Sequence, residues 1–309
     1  MRSIDDTLFS IVKEHQPFQW QQDQVNDEKK EYLSFYQFDV SKVTYHSGYI
    51  QGKNTSLYVQ SFRPSIPKAI CLVLHGYFDH AGALSRLINF LTRNGIHVIS
   101  YDLEGHGLSG GVRATIADFS DYIEDFETIY QAFLADTSKS IYFIGHSTGA
   151  AIALSYLQEN SASFGKICLV SPLLKSHMWF ASKVALNIAS PFTQQLKRTT
   201  KESTSNPIYN DFRRIDPLQH DRTPLSWVKA MYNWFDKVGN KLGLDPSILV
   251  IQGNQDTTVD WQFNMKFLQE HYPNVQITLI DEGKHQLLNE RKEICDRTFS
   301  IIKRYFSSS

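Results

Sequence analysis

Residues 140–159 constrain this chain more than any other stretch. A strand-like run over 140–144 leads straight into Gly145-His146-Ser147-Thr148-Gly149, and an Ala-rich helical run follows. A serine on so abrupt a strand-to-helix turn takes a strained backbone conformation. Glycines two residues to either side let the chain pass closely, and the hydroxyl is pushed into the open. The helix N-terminus behind it favours developing negative charge. The same five residues also fit a glycine-rich helix start with a capping serine. The strand-turn-helix context favours a nucleophile.

The rest of the chain supplies the sheet that such a turn needs. Ala69-Ile70-Cys71-Leu72-Val73-Leu74 is an unbroken apolar run ending in His75-Gly76, as expected for a strand buried on both faces of a parallel sheet. Further strands are expected at 43–50 and 56–63, split by Gly52-Lys53-Asn54, and at 97–101, 166–171, 247–252 and 275–280. Helical spacing is read at 83–93, at 119–135 behind Asp118 as N-cap, and at 291–306. This alternation predicts a mostly parallel sheet covered by helices on both faces. It stops between 173 and 245. That insert shows no strand pattern and holds Met178-Trp179-Phe180, a basic stretch at Lys197–Lys201, and a helix over 225–238 started by Thr223-Pro224. The expected organisation is an N-terminal arm at 1–40, laid over the surface, a core at 41–172 and 246–309, and a helical cap at 173–245 inserted before the penultimate core strand.

Bulk properties narrow the function classes. The 309 residues carry a net charge of -1, so no basic excess points to nucleic acid. Hydrophobic residues make up 42% and charged residues 20%, as in globular proteins. There is no apolar run long enough to cross a membrane, and the start reads as no secretory signal. Cys71, Cys168 and Cys295 form no disulfide or zinc pattern, which fits a reduced, cytoplasmic setting.

A serine hydroxyl needs a base to take its proton. His285 lies in Asp281-Glu282-Gly283-Lys284-His285, between the last strand and the last helix. The orienting acid is expected after the penultimate strand, where Asp256 and Asp260 both qualify. Asp260 directly precedes a helix-like run from Trp261 to Leu268 and suits a capping role, so Asp256 is the candidate. The chain order of serine, acid and histidine then matches that of hydrolases built around such an elbow. The amides of Thr148 and Tyr77 are the expected oxyanion donors.

These blocks together resemble the monoacylglycerol lipase and lysophospholipase group of α/β-hydrolases, also described as serine aminopeptidase-like. The resemblance rests on His75-Gly76 with Asp79-His80, and on Tyr101-Asp102 with Gly105-His106-Gly107-Leu108-Ser109. It further rests on Gly145–Gly149, Ser171-Pro172-Leu173, Asp216-Pro217-Leu218, Gly253 with Asp256 and Val259, and Gly283 with His285. It spans about 43–305 and implies the α/β-hydrolase fold. It also implies Ser147, Asp256 and His285 as the triad, Tyr77 and Thr148 as oxyanion donors, and a monoacylglycerol or lysophospholipid as substrate. Thr148 stands where the group commonly has methionine, and Tyr77-Phe78 is bulkier than the group's usual loop.

Other features carry two readings. Gly105–Gly110 fits G-x-G-x-x-G but opens into no helix with a following acidic strand end, so no dinucleotide is expected. His75, Asp79 and His80 lack further ligands, so no metal is expected, and no cofactor of any kind. Lys197, Arg198 and Lys201 fit a solvated face or a contact with anionic headgroups at a membrane surface. Met178, Trp179 and Phe180 fit either core or an acyl-chain pocket. A peptidase or thioesterase with the same triad remains an alternative. So does a non-catalytic binding protein on the same fold, against which the complete triad argues.

Overall fold

The computed structural model describes residues 3–20, 25–159, 164–198, 202–238 and 247–308. Two helices, α1 (Ile4–Glu14) and α2 (Asp27–Phe35), precede the hairpin of β1 (Val43–Gln51) and β2 (Ser56–Pro64). Then come β3 (Ala69–Leu74), α3 (Ser85–Arg93), β4 (Ile96–Tyr101), α4 (Phe119–Phe133), β5 (Ile141–His146), α5 (Thr148–Glu159) and β6 (Lys166–Val170). The insert holds α6 (Trp179–Ala189), β7 (Gln195–Lys197), α7 (Pro207–Ile215), β8 (Arg222–Pro224) and α8 (Leu225–Val238). The chain closes with β9 (Ile248–Gly253), α9 (Trp261–His271), β10 (Val275–Ile280) and α10 (Lys292–Ser307).

Among the described residues the main sheet has eight strands in the order β1-β2-β4-β3-β5-β6-β9-β10. The hairpin and the β2–β4 pairing are antiparallel, and every later pairing is parallel. The apolar runs are explained by this order. Every residue of β3, β4 and β9 is buried, because helices cover both faces. β10 is the edge, and its side chains are partly exposed. One core layer packs α4, α5 and α8 on the sheet, and the other packs α2, α3 and α10. Asp118 caps α4 in a reciprocal capping box with Asp121.

Three expectations are revised. The first forty residues, expected as an arm over the surface, hold two helices that pack into the core. Ser3 and Asp6 form a capping box on α1, and Tyr32 and Leu33 of α2, with Tyr36 just after it, are buried in the core. Their aromatic spacing carried that signal. The insert does contain strands, because β7 and β8 pair antiparallel. The Thr223-Pro224 start signal belongs to β8, and α8 begins at Leu225. Proline has no N–H to donate, which a two-stranded edge tolerates as readily as a first helical turn.

Candidate active site

β5 ends at His146 and α5 begins at Thr148, leaving Ser147 alone at φ 51 in the left-handed region. That conformation costs roughly 1–3 kcal/mol. Fixed bonds on both sides offset it. Ser147 N–H donates to Val170 O at 3.0 Å, and Ser147 O accepts from Ala150 N–H at 3.1 Å and Leu173 N–H at 3.2 Å. The flanking glycines are required by contact. A Cβ on Gly145 would lie 2.7 Å from Ala150 N, and one on Gly149 would lie 2.6 Å from Leu74 O. Neither gap admits a methyl group.

The acid and histidine loops leave the carboxyl ends of β9 and β10. Gln255 N–H donates to Gly283 O at 2.9 Å, and a Cβ on Gly253 would collide with that Gly283 carbonyl. The two loops are therefore in backbone contact, which fixes the aspartate relative to the histidine. His285 Nδ1 donates to Asp256 Oδ2 at 2.8 Å, and His285 Nε2 accepts from Ser147 Oγ at 3.1 Å. All three side chains are buried. Asp256 also accepts from Gln252 Nε2 at 3.0 Å and from the amides of Thr258 at 2.8 Å and Val259 at 3.2 Å. Burial pushes its carboxyl up, but the His285 imidazole, Gln252 and the Thr258 amide outweigh that and hold it below the usual carboxylate range. Asp260 caps α9, accepting from Phe263 N–H at 3.2 Å.

Tyr77 N–H donates to Thr148 Oγ1 at 3.3 Å, so that amide already points across the elbow. The bulky Tyr77-Phe78 pair fills the seam between core and insert. The Tyr77 ring stacks on Trp227 of α8 with centroids 3.6 Å apart, and Arg198 lies over the Phe78 ring at 4.0 Å. A cavity of about 510 Å³ opens over Ser147 and His285. Insert residues Leu173, Leu186, Leu225, Val228 and Met231 line it. A larger cavity of about 710 Å³ is lined by insert and loop residues and by none of Ser147, Asp256 and His285.

The three aromatic and sulfur candidates of the insert separate. Met178 lines the cavity. Trp179 is buried in the insert core against Tyr232 and Phe235, while Phe180 is exposed. Successive helix positions point to different faces, so three adjacent residues could not all reach one pocket. The basic stretch also divides. Lys197 is exposed at the cavity rim, and Arg198 turns inward. Lys201 lies outside the described residues.

Some residues contribute in roles that the sequence did not assign. His146, inside the pentapeptide itself, donates from Nε2 to His285 O at 3.2 Å and ties the elbow to the histidine loop. Burial, with His285 beside it, pushes its pKa down to about 4, so the ring is neutral. Gln252 is a polar residue at the end of an apolar strand, a legible sign of an inward task. Asp216, in the insert, accepts from His80 Nε2 at 2.9 Å and Tyr36 OH at 2.7 Å. His75 and Asp79 hold backbone and Gln286 respectively: His75 Nδ1 donates to Gly76 O at 2.8 Å, and Gln286 donates to Asp79 at 2.7 Å.

A family model described as serine aminopeptidase, S33, matches residues 65–292. Human monoglyceride lipase is 31% identical over 263 residues, covering 81% of this chain and 86% of that protein. Phospholipase YtpA of Bacillus subtilis is 26% identical over 206 residues, covering 63% of this chain and 78% of that protein. Among solved structures, a soluble variant of monoglyceride lipase from Saccharomyces cerevisiae superposes with a TM-score of 0.77 at 16% identity, covering 87% of this chain and 97% of that one. At that identity the superposition speaks for the α/β-hydrolase fold alone. With its sheet order, its elbow serine and a family match over most of its length, this chain belongs to the serine aminopeptidase S33 family and is a serine hydrolase.

Proposed function

We propose that the protein hydrolyses a single-chain lipid ester through an acyl-enzyme. The observation that carries this reading is the unbroken path from Ser147 Oγ through His285 to Asp256, at 3.1 and 2.8 Å, beneath a cavity with an apolar wall. His285 takes the Ser147 proton as the oxygen attacks the ester carbonyl. The tetrahedral oxyanion is held by the amides of Thr148 and Tyr77, the latter exchanging Thr148 Oγ1 for the oxyanion. His285 then protonates the leaving alcohol, and a water activated by the same ring releases the acid. Asp256 stays ionised throughout, fixing the Nδ1–H tautomer and stabilising the imidazolium. The segment 173–245 serves as the cap that closes the cavity, with Met178, Leu186 and Met231 against the acyl chain.

The names of the relatives, monoglyceride lipase and phospholipase, support a lipid ester as substrate. The cavity lining argues against an aminopeptidase. That activity needs an acid to hold the substrate ammonium, and among the described residues no aspartate or glutamate lines the cavity. No helix among the described residues is long and apolar enough to cross a membrane. Phe180, Val184 and Ile188 are exposed at four-residue spacing on α6, with Phe192 beyond them. This apolar stripe supports transient contact of the cap with a lipid surface. The test is labelling by a fluorophosphonate probe, followed by an acyl-chain series of monoacyl esters. Each buried methylene contributes up to about 0.8 kcal/mol, so specificity should rise several-fold per two carbons until the cavity is full. Absence of labelling would remove the mechanism, and a flat series would remove the lipid assignment.

A further inference from the structure

The cavity over Ser147 is lined by three cations, Lys197, Arg198 and Arg213, and by no carboxylate among the described residues. The two arginines come from different parts of the insert, the strand end after β7 and the last turn of α7. Arg198 Nη1 donates to Gln219 Oε1 at 2.9 Å and to His220 O at 3.3 Å. Arg213 Nη1 donates to Ser203 Oγ at 2.7 Å, and its buried Nε has no hydrogen-bond partner among the described residues. Every partner so named is neutral. Asp79, whose charge reaches Arg198, is buried behind Gln286, which holds it at 2.7 Å. Burial, with Arg213 close by, pushes the Arg198 guanidinium down to about 10.

Two neighbouring, half-buried guanidiniums with no ion-pair partner among the described residues are held at a cost that an anion arriving with the ligand would offset. A second cavity, of about 370 Å³, shares Lys197, Arg198 and Arg213 with the first, so these cations border both spaces. Of the three acids lining that second cavity, Asp221 is exposed and the other two are engaged elsewhere. Asp216 is bound by His80 and Tyr36, and Glu202 lies 3.6 Å from Lys284. Of the apolar wall, Leu186 and Leu225 are shared instead with the cavity of about 710 Å³, which none of these three cations lines. An acyl chain on that wall leaves the alcohol side of the ester towards the arginines, whose planar forks match a phosphate.

We propose that Arg198 and Arg213 bind the phosphate of the leaving alcohol. The preferred substrate is then a lysophospholipid rather than a neutral monoacylglycerol. This rests on the ester-hydrolase reading above. The test compares kcat/KM for 1-oleoyl-lysophosphatidylglycerol and 1-oleoylglycerol, in identical detergent, for wild type, Arg198→Gln, Arg213→Gln and Arg213→Lys. Wild type should favour the phosphate-bearing ester. Each glutamine variant should lower the ratio of phosphate-bearing to neutral ester by about ten- to a hundred-fold, the size of a lost charge-assisted hydrogen bond, and Arg213→Lys should restore part of it. A melting curve for each variant identifies a folding defect, which lowers both rates and leaves the ratio unchanged. Should Arg198→Gln not fold, the Arg213 pair decides alone. A wild-type preference for 1-oleoylglycerol, or a ratio unmoved in folded variants, overturns the proposal. So does inhibition by inorganic phosphate without any preference for the phospholipid, which would mark a free-anion site. Failure of wild type on both lipids and on p-nitrophenyl butyrate would instead strike the hydrolase reading itself.

Discussion

Two buried histidine–aspartate pairs in this molecule are nearly the same as local chemistry and opposite in use. His285 meets Asp256 at 2.8 Å, and His80 meets Asp216 at 2.9 Å. Each carboxylate accepts further donors, from Gln252 and two amides in one case, and from Tyr36 and the Leu218 amide in the other. The difference is which ring nitrogen faces the acid. Asp256 takes Nδ1, which leaves Nε2 as an acceptor for Ser147 Oγ. Asp216 takes Nε2, and Nδ1 then accepts the backbone N–H of Gly82 at 3.1 Å. The first ring can accept a proton from a nucleophile. The second is closed by main chain, and joins α2, the loop after β3 and the insert into one unit. An acid–histidine contact is therefore not a signature of catalysis; the partner of the remaining nitrogen decides.

The largest expected effect is at the hydroxyl that distinguishes the two pairs. Ser147→Ala should fold normally and lower ester turnover by about 10^6. Turnover close to wild type in that variant would erase the distinction and the mechanism with it.

Changing each aspartate in turn sharpens the comparison. Asp256→Asn should lower turnover by about 10^4, because the histidine loses its tautomer. Asp216→Asn keeps one acceptor oxygen and should lower stability by about 1–3 kcal/mol, with turnover within tenfold of wild type. Parallel rate and denaturation measurements on both variants check this. Inactive Asp216→Asn with active Asp256→Asn would reverse the two roles.

Asp260→Asn should act only on α9, costing about 0.5–1 kcal/mol in a urea melt, since asparagine also caps well. A loss of turnover as deep as that of Asp256→Asn would mean the acid has been placed wrongly.

The smallest effect is a pH dependence. Burial raises the Asp216 carboxyl, but the His80 imidazole, the Tyr36 hydroxyl and the Leu218 amide outweigh it and hold it below its ordinary 3.8. The folded state then binds this proton less readily than the unfolded one. The resulting stabilisation is fully present above about pH 4 and is lost as pH falls through the folded value. The melting-temperature gap between wild type and Asp216→Asn should narrow as pH falls below 3.8. A gap that widens as pH falls below 3.8 would contradict this assignment of the pair.

The strand runs, the order serine–acid–histidine and the α4 cap at Asp118 were legible because each depends on neighbours a few residues away. Ala69–Leu74 can only be a strand buried on both faces, and Gly145–Gly149 can only turn as it does because Gly145 and Gly149 leave room for the backbone. Chain order also separated Asp256 from Asp260, through the helix that starts at Trp261. The His80–Asp216 pair was not legible, since its partners are 136 residues apart and follow no spacing rule. Nor was the lining of the cavity. Met178 faces the space over Ser147 while Trp179 and Phe180 do not, and Arg198 turns inward from a stretch that reads as solvated. Helical phase and strand ends in the insert are set by what they pack against, the Tyr77–Trp227 stack and the Arg198–Phe78 contact among them. Local sequence singled out the candidate reacting residues. Only the tertiary packing of insert on core decided what surrounds them, because those contacts join residues that no local periodicity relates.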